Sequence, residues 1–283
     1  MSRLLSCATW LLLATSLFAA EPRHTDADYE RHLVELRKRM PEGFHAVIEK
    51  PFVVVGDGSP RSVERHAAQT VRWAVTKLKQ DYFSDDPAVI LDVWLFHGAE
   101  SYEKHVTELF GKKPATPYGY YSRKDRALIM NIETGTGTLV HEIVHPFIEA
   151  NFPKCPAWFN EGLASLYEEY GERNGRIIGR PNWRLPGLQA AISKGRLPPF
   201  ETLCATTTHE FYADKQGVNY AQARYLCYYL QEQGLLRKFY HDFRNKAADD
   251  SSGYAALQKV LGDPDMERFQ RGWEKFVVDL KRD

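Results

Sequence analysis

No charge of either sign predominates in this chain. Its 37 basic side chains are matched by 37 acidic ones, so there is no overall field to hold a polyanion or an anionic membrane surface, and nucleic acid is not an expected partner. Cysteine is scarce. Of the four, Cys7 lies in the first twenty residues, and Cys155, Cys204 and Cys227 fall in no CxxC or Cys/His pattern of zinc spacing. A thiolate metal centre is thereby excluded, and the three are read as structural with their pairing open. There is no internal repeat and no low-complexity tract. Neither a GxSxG elbow nor a phosphate-cradling glycine loop is present, since Gly56-Asp57-Gly58 is too short and runs into Ser59-Pro60. Serine-hydrolase and nucleotide-dependent chemistry are disfavoured accordingly. Beyond the first twenty residues no segment is long and apolar enough to span a bilayer. Eight histidines, His24, His32, His45, His66, His97, His105, His209 and His241, stand in no ligand spacing and are expected in surface or core roles.

What is present begins at the N-terminus. Arg3 precedes an apolar run from Leu4 to Ala20 that ends in small residues before the polar Glu21-Pro22-Arg23-His24. This is the layout of a secretory signal over residues 1–20, with an uncleaved membrane anchor as the alternative. The expected location is secreted or periplasmic, without stable membrane insertion once the signal is removed. Residues 21–283 are enough for one large core, and 43% hydrophobic with 26% charged residues is the balance of an ordinary folded domain.

Along the chain, a polar stretch is helical around Tyr29 to Arg39. Phe52-Val53-Val54-Val55 reads as a buried strand, closed by Gly56-Asp57-Gly58-Ser59-Pro60. Ser59 then offers an N-cap with Pro60 at the first helical position, and Val63, Ala67, Val71, Ala74, Val75 and Leu78 share one helical face. Val89 to Phe96 is strand-like apart from Asp92, and Ser101 to Phe110 is a short helix. Tyr118 to Tyr121 and Arg126 to Ile132 form two strands joined by a polar turn. The tyrosines at 118, 120 and 121 are read as packing residues, because strands favour tyrosine. Thr134 to Thr138 ends the strand and offers capping hydroxyls to a helix starting near Leu139.

That helix carries His141-Glu142-Ile143-Val144-His145. Histidines at i and i+4 project from one helix face, near enough for both imidazoles to bind one zinc ion, with Glu142 beside it and Ile143 and Val144 facing a core. A proline-started amphipathic helix, Pro156-Ala157-Trp158-Phe159-Asn160-Glu161-Gly162-Leu163-Ala164-Ser165, is placed to bring Glu161, sixteen positions after His145, to the same ion. Two histidines and a glutamate leave one coordination position open. There a zinc ion lowers the pKa of a water to about 7 while a carboxylate takes its proton.

HExxH followed by Asn160-Glu161-Gly162-Leu163-Ala164 resembles the gluzincin metallopeptidases, in particular the peptidase MA-like domains, over Phe44 to about Leu236. The resemblance implies an α+β zincin-like fold with a thermolysin-like catalytic core: a small mixed sheet, active-site helices and a mostly helical C-terminal part. It implies a single domain over 21–283, with the active-site core at about 118–230 and the helical part at about 231–283. One zinc ion is implied, with His141, His145 and Glu161 as ligands and Glu142 as general base. The strand before the metal helix forms the cleft edge in that family and pairs with extended substrate; Ala127 to Ile132 holds that position here. A tyrosine or histidine opposite the base is also implied, as oxyanion stabiliser, with Tyr220 as the candidate and Tyr212 and His209 as competitors.

Three departures are visible. Pro146 is expected to kink or end the metal helix. Ser165 stands where thermolysin-like enzymes have an acid that orients a histidine ligand, so orientation must come from elsewhere. The GxMEN motif of aminopeptidases is missing. The expected activity is hydrolysis of peptide bonds in a peptide or protein substrate. The alternatives are an exported zinc-binding module without that activity, or a zinc hydrolase of another amide or ester.

Overall fold

A computed structural model describes residues 23–262 and 265–282; the expected signal at 1–20 lies outside them. Thr25 opens α1, Asp26–Arg37, through a reciprocal capping box with Asp28. Its buried face is Tyr29, Leu33 and Leu36, four and three residues apart as one helical stripe requires. β1, His45–Glu49, and β2, Phe52–Gly56, pair antiparallel. Ser59 and Pro60 then start α2, Pro60–His66, as the sequence predicts, and the helix runs through a π-helical stretch, Ala67–Arg72, into α3, Trp73–Asp81. β3, Leu91–Phe96, is followed by α4, Ala99–Phe110. β4, Gly119–Ser122, turns into β5, Ala127–Asn131.

From here the chain is mainly helical. α5, Gly137–Asn151, and α6, Ala157–Leu166, precede the hairpin of β6, Tyr170–Arg173, and β7, Arg176–Gly179. Then come α7, Leu185–Ser193; α8, Phe200–Cys204; α9, Thr208–Ala213; α10, Val218–Glu232; and α11, Leu236–Lys246. α12, Tyr254–Leu261, and α13, Met266–Asp279, are the expected terminal helices. The architecture is mixed α and β, with a small mixed sheet and a helical C-terminal part.

The five-stranded sheet has the order β1-β2-β3-β5-β4, with β2, β3 and β5 parallel and the two outer strands antiparallel to their neighbours. The two-residue strand period divides its side chains between two cores. Val53, Val55, Trp94, Phe96 and Ile129 pack with the apolar faces of α1 and α4. Val54, Val93, Leu95, Leu128 and Met130 pack with α2, α3, α5 and the C-terminal helices. Asp92, the one charged residue in β3, is 1% exposed and is paired with His32 at 2.7 Å and with Arg39, so the buried carboxylate ties α1 to the sheet.

Three expectations need correction. β5 is an interior strand, hydrogen-bonded to β3 on one side and β4 on the other, so the free edge beside the metal helix belongs to Gly119–Ser122 and not to Ala127–Ile132. α5 does not end at Pro146 but runs on to Asn151, because a proline inside a helix forfeits one hydrogen bond and the surrounding core makes good the loss. Thr136 is the N-cap of α5, yet its hydroxyl reaches Tyr170 Oη at 2.7 Å and caps no helix N–H. Cys155, Cys204 and Cys227 are all free thiols. Among the described residues no helix is long and apolar enough to cross a membrane.

Candidate metal centre

α5 presents His141, Glu142 and His145 from one face, and α6 packs beside it and delivers Glu161. All four side chains are buried. His141 Nε2 lies 3.4 Å, and His145 Nε2 4.0 Å, from the same oxygen, Glu161 Oε2. One ligand atom from each of these three residues falls within 4.8 Å of the others. Donors about 2.05 Å from a tetrahedral ion lie about 3.3 Å apart, so the three donors close on one ion with small adjustments. A metal ion therefore fits here.

The surroundings leave these donors free for an ion. His145 Nδ1 donates to Asn160 Oδ1 at 3.0 Å, which sets the tautomer with the Nε2 lone pair toward Glu161. His141 Nδ1 faces Glu168 Oε1 at 3.4 Å, an ion-pair distance somewhat beyond a hydrogen bond. Glu168 is held in turn by Arg184, whose Nη2 donates to Oε1 at 2.8 Å and Nε to Oε2 at 3.2 Å. Tyr212 Oη donates to Glu161 Oε1 at 2.5 Å, leaving Oε2 to face the histidines. Sequence reasoning missed Asn160 and Glu168 altogether. Asn160 was legible as the neighbour of Glu161. Glu168 carried no signal, because it sits seven residues after Glu161 in the turn beyond α6.

The electrostatics favour a cation. Two buried carboxylates, Glu142 and Glu161, and the partly buried Glu168 surround two imidazoles. Burial alone would raise Glu161, but the facing imidazoles of His141 and His145 and the Tyr212 hydroxyl hold it down to about 2. Burial likewise opposes the charge on Glu168, which His141 and Arg184 bring down to about 2. His141 resists burial in the opposite sense and is raised well above the usual histidine range by Glu161 and Glu168. Glu142 differs from the other two: burial raises it, and the neighbouring imidazoles only partly offset that.

Glu142 Oε2 accepts the Tyr121 N–H of the edge strand at 2.9 Å and lies 3.8 Å from His145 Nε2. It opens with His141 into a cleft of about 900 Å³. Tyr118, Gly119, the threonine-glycine segment 134–138, Glu168, Trp183, Arg184 and Tyr220 also line it, with Gly137 packed directly against the Glu168 backbone. In β4, Asn131 N–H donates to Tyr118 O at 2.9 Å, so by antiparallel alternation Gly119 and Tyr121 turn their backbone groups outward. The Tyr121 N–H on Glu142 is one of these.

Of the three candidates for oxyanion donor, Tyr220 lines the cleft, with its ring 5.1 Å from the Arg184 guanidinium. Burial and the charge of Glu161 push its phenol far above the usual range, so it stays a donor. Tyr212 is committed to Glu161, and His209 is exposed on α9 outside the cleft. Compared with models of known protein families and with curated proteins, the chain matches none.

Proposed function

We propose that this chain is an exported zinc-dependent peptidase of zincin-like fold, with His141, His145 and Glu161 holding the ion and Glu142 as general base. The observation that carries the reading is the placement of Glu142. A buried carboxylate with raised proton affinity stands beside a three-donor cluster, at the mouth of a cleft walled by a free sheet edge. The chemistry that zinc supplies when held there is Lewis acidity, which lowers a water's pKa to about 7 and polarises a carbonyl. Zinc is preferred over a harder cation because two of the three donors are imidazoles.

The chain's own residues supply the rest. An extended peptide adds to the outward backbone groups of β4, and this orients its scissile carbonyl toward His141 and Glu142. Glu142 accepts the proton of the attacking water and returns it to the leaving amine; a carboxyl raised toward neutrality suits both transfers. Tyr220 donates its hydroxyl to the oxyanion that develops on the carbonyl. Peptide is favoured over other amides and esters because only a chain of successive amides satisfies a sheet edge.

The test is zinc stoichiometry by elemental analysis together with cleavage of an unstructured protein, for wild type, Glu142→Gln and Glu161→Ala. About one zinc in wild type and Glu142→Gln, clearly less in Glu161→Ala, and cleavage by wild type alone are expected. Equal zinc in all three would sink the ligand assignment, and zinc without cleavage would leave a binding module.

A further inference from the structure

Six large hydrophobic side chains are exposed among the described residues, and two of them, Tyr118 and Trp183, line the cleft that contains His141 and Glu142. Tyr118 immediately precedes the edge strand, and Trp183 lies in the segment between β7 and α7. Trp183 is 59% exposed. An indole left this open contributes little to the core, and its hydration cost is regained only when something covers it.

The ring is nevertheless fixed in place. The Arg184 guanidinium lies 4.1 Å from its centroid, close enough for a cation–π contact. Arg184 is locked by two hydrogen bonds to Glu168, which faces His141 Nδ1. The indole is thus joined through two side chains to a metal-ligand candidate. A rigid aromatic surface of this kind binds an apolar partner without first losing its own conformational entropy.

We infer that Trp183 is the specificity-determining wall of the cleft and takes a large apolar or aromatic side chain of the substrate, one residue or so from the scissile bond. The inference rests on the peptidase reading above. The occupant is an extended polypeptide because the same cleft is bordered by the sheet edge at Gly119. A strand lying there sends its side chains alternately to the two faces of the extended sheet, one of them the face against which α5 packs. An open indole is also a surface on which a sugar ring stacks, but a sugar has no successive amides to pair with the outward backbone groups of Gly119.

The test compares zinc-loaded wild type, Trp183→Ala and Trp183→Phe on a reduced and alkylated unfolded protein, with the cleavage sites read by mass spectrometry. Wild type is expected to enrich Phe, Tyr, Leu or Met at one position flanking the cut by about tenfold, the scale on which an apolar pocket discriminates. Trp183→Ala should lose that enrichment and Trp183→Phe should keep most of it, with zinc content equal in all three. The same site preferences in wild type and Trp183→Ala would overturn the inference and leave the peptidase intact. No cleavage by zinc-loaded wild type would remove both. Binding of a chitin or glucan oligosaccharide that depends on Trp183, without any apolar cleavage preference, would also overturn it.

Discussion

The buried Glu142 and the partly buried Glu168 both stand against histidine, yet their surroundings assign them opposite work. Glu142 meets only partial compensation and gains proton affinity, whereas Glu168 is held ionised by His141 and Arg184. Glu168→Gln keeps the shape and removes the charge facing His141 Nδ1. It should weaken zinc affinity by about 10- to 100-fold in a chelator competition, the usual loss when a ligand's supporting carboxylate is removed. Unchanged affinity would mean that Glu168 serves Arg184 alone. Tyr212→Phe, which frees Glu161 Oε1, should likewise act on zinc affinity. Tyr220→Phe should differ from both, cutting kcat by about 100-fold or more with zinc affinity intact. If Tyr220→Phe and Tyr212→Phe show the same profile, the two tyrosines do not divide oxyanion and ligand support between them. At this scale the sequence made His141, Glu142, His145 and Glu161 legible, because helix spacing and a short motif are local. The partner of His141 was not legible, since Glu168 reaches it only through the turn that follows α6.

Among the elements, α6 connects the metal centre to the helical part. Gly162 in α6 lies where a Cβ would be 3.0 Å from Ala223 O, so glycine lets α10 approach closely. Arg224 in α10 is fully buried and donates to the carbonyls of Ser165 at 2.9 Å and Leu166 at 3.3 Å, at the C-terminal end of α6, and to that of Arg180. It thereby adds a donor to the Ser165 carbonyl, which also accepts the Glu168 N–H, and supplies one to the Leu166 carbonyl beyond it. Arg224→Met takes its donor from the Leu166 and Arg180 carbonyls while Ser165 O keeps the Glu168 N–H; at about 1 kcal/mol or more for each carbonyl left unpaired, it is expected to lower stability by about 2–3 kcal/mol in a urea titration. A loss below about 1 kcal/mol would show that water replaces the guanidinium at no cost. The start of α5 is similarly confined, because a Cβ on Gly137 would stand 2.0 Å from Glu168 O. Gly137→Ala must therefore displace the backbone of Glu168. It should cost about 1–3 kcal/mol, as overpacking does, and weaken zinc binding as Glu168→Gln does. A variant as stable as wild type would count against that contact.

Over the whole molecule, the sheet supplies a wall, α5 lies across one face of it, and the helices from α6 onward close the far side of the cleft. An ion shared by α5 and α6 is bound only when both are in place, so its binding free energy adds to folding. Zinc at a free concentration 100 times its Kd should add about 2.7 kcal/mol, a rise of about 5–10 °C in Tm for a chain of this size. Thermal melts with zinc and with a chelator check this, and Glu161→Ala should show almost no difference between the two. A wild-type Tm indifferent to chelation would argue against a bound ion.

What the sequence by itself determined was set by neighbours a few residues apart: the i, i+4 histidines, the Ser59-Pro60 helix start, the amphipathic faces of α1 through α6, and Glu161 in its helix. These follow from fixed helical and strand periods, which operate wherever the segment is placed. Only the tertiary structure decided which strand is the free edge, since that depends on β4 folding back outside β5. Only it brought Glu168, Tyr212 and Arg184 to the metal donors and set Trp183 in the same cleft as Gly119. Those meetings depend on how far the chain turns between elements, and no local period records that distance.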